Sequence, residues 1–483
     1  MQTATLNPYP ASHALPALGH QTAERSEVIR AVLISVVYFA IASIGYFTPY
    51  DSVAFILGLA IIAPSWRPYL LLLVASVHDS PGQADPSVYA GVCGITCMMS
   101  FSAIMNPKLR RAARTADDRI FTRLVFGGLL LVMYGLASSW VQQELQLHEQ
   151  YEEKPYYLLG GLMAMMIVSG FLANRILSED RFSSVRLRTI CTMILAHILI
   201  VTLLQTVYGP GFGASRKGMA IISQMFELMD GGSRGMARLT GPFLSPNTLA
   251  MLPCLYLLIF LRASRGTEIS DKFIFAFGSV GLVLAILGGA RSMFGFYLLA
   301  CGVLMWTKSP RRAIGLGLMG LPALFVIGVP WEEILVLLRF QDVDSLQSLG
   351  MRGAYWNACI HNLTREQWLY GSGLSHWPVF LKYYVGYPGA DPHNWIFSMA
   401  GSFGLPGLLF YACLGFVLLR RGFTGPRRYR AIALCLFVLL LGRDLANVQY
   451  VVNNHAMGSL YWLCIASAFT TREESDDDQE VNS

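Results

Sequence analysis

Charge is what this sequence has least of: Asp, Glu, Lys and Arg together make up 14% of its 483 residues, against about 25% in a soluble domain. A chain so poor in charge cannot dress two or three water-facing domains, which its length would otherwise suggest. Cysteine–histidine spacings suited to a metal are missing. Eight of the nine cysteines fall in apolar blocks and only Cys359 lies in a long loop, which excludes a loop disulfide within one chain. Internal repeats, low-complexity stretches and the inverted symmetry of many transporters are absent. The polar first 28 residues contain no apolar core of a secretory signal, so no cleaved leader is expected.

What the chain has instead is apolar surface in long runs. Hydrophobic residues reach 54% and the mean hydropathy is +0.48. That much apolar surface fits inside a bilayer and not inside one water-soluble core, which makes this an all-α polytopic membrane protein. Fourteen apolar blocks are read, at about 31–47, 52–63, 68–77, 87–105, 121–141, 156–174, 189–208, 247–262, 272–289, 293–307, 312–329, 394–419, 431–446 and 456–470. The second and third are too short to span and read as one broken helix pair, giving about 12–14 transmembrane helices.

Basic residues set the direction. Lys108, Arg110, Arg111, Arg114 and Arg119 follow the fourth block; Arg175, Arg181, Arg186 and Arg188 follow the sixth. Lys308, Arg311 and Arg312 come next, then Arg420, Arg421, Arg427, Arg428 and Arg430. They recur at every second connection, the mark of a cytoplasmic side, so the net charge of +6 reports topology and no nucleic-acid partner is expected. The resulting organisation has a cytoplasmic tail over 1–28, membrane helices over 29–208, a periplasmic loop over 209–246 and central membrane helices over 247–329. A large, partly helical periplasmic loop follows over 330–393, then membrane helices over 394–470 and an acidic cytoplasmic tail over 471–483. In the large loop, residues 331–340 are amphipathic, and residues 348–362 have helical spacing before a stop at Gly371–Ser372–Gly373.

The informative charges are those that disobey this pattern on the outer side. Arg216, Lys217 and Arg234 read as headgroup contacts, and Arg443 as the partner of Asp444. Arg238 and Arg291 adjoin glycine-rich backbone that permits close approach, and guanidinium groups at a membrane boundary suit a phosphate or pyrophosphate. Arg352 lies on the loop helix, where a functional and a structural role are balanced. His393 opens an apolar span in Asp391–Pro392–His393–Asn394–Trp395, and imidazole can accept a hydroxyl proton near neutral pH. His361, His376 and His455 are read as structural, and most of the loop aromatics as an interfacial belt. Asp342–Val343–Asp344 has the look of a metal-holding carboxylate pair, but so short a match arises easily by chance, and no metal site is assigned.

Four stretches taken in order resemble the O-antigen ligase and Wzy-type polysaccharide polymerase superfamily. They are Arg238 to Asn247, with Gly241, Phe243 and Pro246; Ala290–Arg291–Ser292; Arg352 and Trp356 leading to Tyr370–Gly371–Ser372–Gly373; and Pro392–His393–Asn394 before a span containing Gly404–Leu405–Pro406–Gly407. The resemblance covers about 189–419 and implies a membrane glycosyltransferase of the GT-C type at the periplasmic face of a bacterial inner membrane. Its donor would be an oligosaccharide on undecaprenyl pyrophosphate, used with neither nucleotide sugar nor metal, and no cofactor is expected. By the same resemblance Arg238 and Arg291 hold the pyrophosphate, and His393 orients or deprotonates the acceptor hydroxyl. Arg352, Trp356, Asn247 and Asn394 contact substrate. A polymerase of exopolysaccharide or O-antigen repeat units is expected, with a ligase to lipid A–core as the alternative. A chain-length regulator and a flippase would be neighbours in the pathway. The rival of another class is a transporter or flippase for an anionic lipid-linked substrate, which would place charge near the midplane and not at one face.

Overall fold

A computed structural model describes residues 14–43, 49–77, 86–106, 116–144, 156–208, 239, 241–243, 246–263, 271–288, 291–311, 314, 344–374, 376–386, 392, 394–425, 427–439 and 457–469. Among them the regular structure is helical throughout, and no strand occurs. In chain order the helices are α1 (Ala14–Ser43), α2 (Pro49–Ile62), α3 (Arg67–Val77), α4 (Pro86–Met105), α5 (Ala116–Glu144), α6 (Tyr156–Glu179), α7 (Ser183–Tyr208) and α8 (Pro246–Ala263). There follow α9 (Asp271–Leu287), α10 (Arg291–Lys308), α11 (Asp344–Asn362), α12 (Arg365–Tyr370), α13 (His376–Val385), α14 (Trp395–Thr424), α15 (Arg427–Phe437) and α16 (Met457–Phe469).

Among the described residues four stretches are long and apolar enough to cross a membrane: Asp118–Val141, Leu159–Glu179, Ser183–Tyr208 and Trp395–Thr424. Six shorter apolar helices accompany them, so the protein is the all-α polytopic membrane protein the composition predicts. The block at 312–329 and the amphipathic stretch at 331–340 lie outside the described residues. The broken pair is observed: α2 has 14 residues and α3 has 11, about 21 and 16 Å at 1.5 Å per residue, and a single 3-10 turn, Pro64–Trp66, joins them. Arg67 closes that joint. Its Nε donates to the Ala60 carbonyl at 2.8 Å, which the end of α2 leaves orphaned before Pro64, and its guanidinium donates to Met98 O at 2.7 Å and to Ser102 Oγ on α4.

Small residues let the long helices approach closely, as packing without a hydrophobic drive requires. A Cβ on Gly170 of α6 would lie 2.4 Å from Trp462 Cβ of α16. One residue earlier, Ser169 Oγ donates to Ser459 Oγ at 2.7 Å. Gly128 faces Ile167 while Gly160 faces Leu136, so α5 and α6 run antiparallel, and the short turn at 180–182 reverses the chain again into α7. The helix ends therefore sort into two faces.

One face collects arginines, each engaged by protein. Arg262 reaches Ser467 Oγ, Asn174 O and Ser178 Oγ, and Arg421 Nε donates to Ala468 O at 3.0 Å. Arg175 lies over the Phe171 ring and Arg181 over Phe182. At its centre the buried Arg186 binds Glu27 at 2.7 Å and Asp180 at 3.0 Å, with its guanidinium carbon 4.6 Å from the Trp66 ring centroid. Glu27 belongs to α1, which already begins at Ala14, so the stretch read as a tail enters the packed structure. Breaking a buried pair strands one charge, so Arg186→Met is expected to cost about 3–5 kcal/mol, read as a much lower melting temperature in detergent. Arg30→Met, which removes the 63%-exposed second partner of the same carboxylate, should shift it little.

Candidate active site

On the opposite face two pieces of backbone are brought back onto the helix ends. The first precedes α8. Gln205, near the end of α7 and 1% exposed, holds Gly241 at both main-chain atoms: Nε2 donates to Gly241 O at 2.7 Å, and Gly241 N donates to Oε1 at 2.9 Å. Gly241 has φ +59°, and a Cβ there would lie 2.8 Å from Leu249 Cδ1 and 2.9 Å from Thr202 Oγ1. Two residues earlier, Leu239 N donates to Leu287 O at 3.1 Å, taking up a carbonyl at the end of α9. The next helix, α10, then starts at Arg291. The chain on either side of this contact thus carries the basic positions 238 and 291.

The second piece is the segment 371–374. Helix α14 is broken at Gly404, which sits at φ 63° and ψ −148°. Pro406, which would follow Ser402 by one helical step, has no N–H to give its carbonyl. The segment supplies the missing donors: Ser372 N donates to Gly401 O at 2.7 Å and Gly373 N to Ser402 O at 3.0 Å. On its other side α5 holds the same segment, with Leu374 N donating to Ser139 Oγ at 2.7 Å and Tyr134 OH to Tyr370 O at 2.6 Å. A strap of irregular backbone, with Gly371 at φ 71° and Gly373 at φ 90°, therefore splints a broken membrane helix to its neighbour.

Above the strap the loop helices form a small core of their own, with Tyr355, Cys359, Leu363, Phe380, Leu381 and Phe397. Thr364 caps α12 in a reciprocal pair with Gln367. The Glu366 carboxyl is held below its usual range by its own backbone N–H and by the Thr364 hydroxyl. Loop helix α11 extends back to Asp344, four residues before the sequence-predicted start. Gly371–Ser372–Gly373 is more than a stop, because α12 intervenes and the triplet then docks on α14.

The predicted site residues divide as follows. Arg352 is half-buried on α11. Trp356, one turn later on α11, donates its indole N–H to Pro392 O at 2.8 Å, which leaves its ring faces as what it can offer a sugar. Asn394 is 8% exposed and caps α14, its Oδ1 accepting from Ile396 N at 2.9 Å. These two contacts bracket position 393 on both sides. Arg291 is the first residue of α10 and Asn247 the second of α8, but both side chains lie outside the described residues. Arg238 and His393 also lie outside them, as do Arg216, Lys217, Arg234, Asp342, Arg443 and Asp444. Gln205, Ser139 and the Gly404 break carry the geometry and were missed. Exposed Tyr370, Tyr383 and Tyr384 add ring surface to the same loop, the kind of face on which sugars stack.

Residues 273–412 match the family described as O-antigen ligase, Wzy_C. The resemblance read from the sequence holds over that stretch, which is less than a third of the chain. The match contains Arg291, Arg352, Trp356, His393 and Asn394 and begins beyond Arg238 and Asn247. No curated protein matches the chain. The match falls on a chain whose described residues form membrane-spanning helices, as the O-antigen ligase and polymerase type would require.

Proposed function

We propose that this protein is a bacterial inner-membrane glycosyltransferase that polymerises repeat units carried on undecaprenyl pyrophosphate, working at the periplasmic face. The observation that carries the proposal is the main-chain contact of Leu239 with Leu287. It draws together two distant stretches whose flanking positions, 238 and 291, are basic. The arginine-rich opposite face, its cations engaged by carbonyls, carboxylates and rings, supports a cytoplasmic assignment for that side. The strap side is then periplasmic and both termini cytoplasmic.

In the proposed reaction the acceptor hydroxyl oxygen attacks the anomeric carbon of the donor sugar. The bond from that carbon to pyrophosphate oxygen breaks, and the electron pair leaves with undecaprenyl pyrophosphate. Arg238 and Arg291 hold the charge that builds on the leaving group, where fixed donors in a dry site act most strongly. His393 takes the hydroxyl proton; Asn394 and Trp356, through Ile396 and Pro392, hold the backbone around it. Arg352 and the aromatic rings of the loop bind the glycan.

A ligase to lipid A–core is a second reading, favoured by the description of the matched family; the long aromatic loop favours the polymerase. Reconstitution in liposomes with one defined undecaprenyl-pyrophosphate oligosaccharide separates them, offering lipid A–core and a second repeat unit in turn. A ladder of products is expected with the repeat unit, and one capped product would establish the ligase instead. In the same assay His393→Ala should retain a trace of activity, a fall of about 10²- to 10⁴-fold, the usual worth of a general base. Transport of the donor with no glycan transfer would overturn the proposal.

A further inference from the structure

We propose that Gln205 is a positioning residue for donor binding, acting through the main chain of Gly241. The inference rests on the functional reading above and adds to it a residue that touches no substrate. A carboxamide buried in an apolar helix is costly unless both its ends are bonded, and here both ends bind one residue, at 2.7 and 2.9 Å. That pairing copies the two-bond match between neighbouring strands and fixes orientation as well as distance. It acts at a crowded place: Gly241 is buried between Thr202 and Leu249.

A second tie on this segment is Leu239 N to Leu287 O at 3.1 Å. Gly241 is thus held to α7 and Leu239 to the end of α9. Arg238 is bonded in sequence to the first tied residue, and Arg291 opens the helix that follows α9. Without the carboxamide the segment loses this hold on α7, and the chain that leads to residue 238 loses one of its ties. Simple helix stability does not explain the arrangement, because both ends of the carboxamide reach a residue 36 positions away.

The test uses full-length protein in liposomes, with farnesyl pyrophosphate as a short-chain probe of the donor site. Donor KM, kcat, the inhibition constant of the probe and the melting temperature are measured for wild type, Gln205→Leu, Gln205→Glu and Arg238→Ala. Gln205→Leu is expected to raise donor KM and the probe's inhibition constant together, by about tenfold, as the loss of two buried hydrogen bonds would. Its kcat should fall as well, since Arg238 also holds the charge that builds on the leaving group, and Gln205→Leu/Arg238→Ala should bind no worse than Arg238→Ala alone, since the two act as one unit. Gln205→Glu, whose neutral carboxyl keeps one donor and one acceptor, should approach wild-type KM as the pH is lowered.

Unchanged KM and inhibition constant in Gln205→Leu, whatever its melting temperature, would overturn the positioning role while leaving the enzyme reading intact. Should Gln205→Leu not be recovered from membranes, Gln205→Glu at high pH carries the same comparison, and wild-type constants there overturn it equally. Wild-type protein that transfers no glycan and is insensitive to the probe would instead overturn the functional reading, and the positioning role with it.

Discussion

Arg291→Ala should yield no detectable glycan product, a fall of about a thousandfold or more in kcat/KM, at expression and membrane insertion equal to the parent. Charge accumulates on the departing pyrophosphate, so a cation held in place helps the transition state more than the bound donor. Loss of one such preorganised donor costs about 10²- to 10³-fold elsewhere. Here the start of α10 adds the positive end of a helix dipole at the same position, and removing the guanidinium leaves that weaker field alone. Arg291→Lys keeps the charge but loses the paired hydrogen bonds and should recover only part of the activity. Glycan synthesis by Arg291→Ala at the parent's rate would remove the pyrophosphate pocket from the proposal.

Gly404→Ala should be nearly as damaging, and for a reason of packing. The residue sits at φ +63°, where an L side chain is strained, and a Cβ there would lie 2.5 Å from Gly371 N and 2.6 Å from Leu369 O. Both neighbours are main chain, which no rotamer change can move. Either the strap lifts off, orphaning the Gly401 and Ser402 carbonyls in a buried place, or α14 straightens and loses its fit to α5. The expected cost is about 3 kcal/mol or more, seen as a steep fall in melting temperature and in folded yield. Gly353→Ala, where a Cβ meets nothing within 4 Å, is the matched control and should be neutral. A Gly404→Ala protein that melts with its parent would show that the strap does not lock the break.

The sequence reveals the helices because a bilayer demands them: an apolar run of about 20 residues has few other uses. The broken pair at α2 and α3 is legible for the same reason, both runs being too short to span. The break in α14 is not, since Gly404 and Pro406 lie within one apolar run and such residues occur in continuous membrane helices. What turns them into a break is a strap some 30 positions upstream, and nothing in the Gly371–Ser372–Gly373 triplet names Gly401 as its partner. Gln205 is hidden in another way, as a single polar residue near the end of an apolar helix. For the site, charges on the wrong side of the membrane pointed to helix starts, and Arg291 does begin α10. Trp356 and Asn394 are read as substrate contacts, but their hydrogen bonds to backbone on either side of position 393 are not legible, because contact across 36 residues leaves no local pattern.

The latch between Glu27 and Arg186 spans 159 residues of chain. During synthesis α1 is therefore made long before Arg186 exists, with Arg30 of its own helix to offset the Glu27 carboxylate until then. The first helix must be made early and dock late. Docking comes when Arg186, which also meets Asp180 and the Trp66 ring, reaches the same face and draws the early and middle thirds of the chain into one assembly.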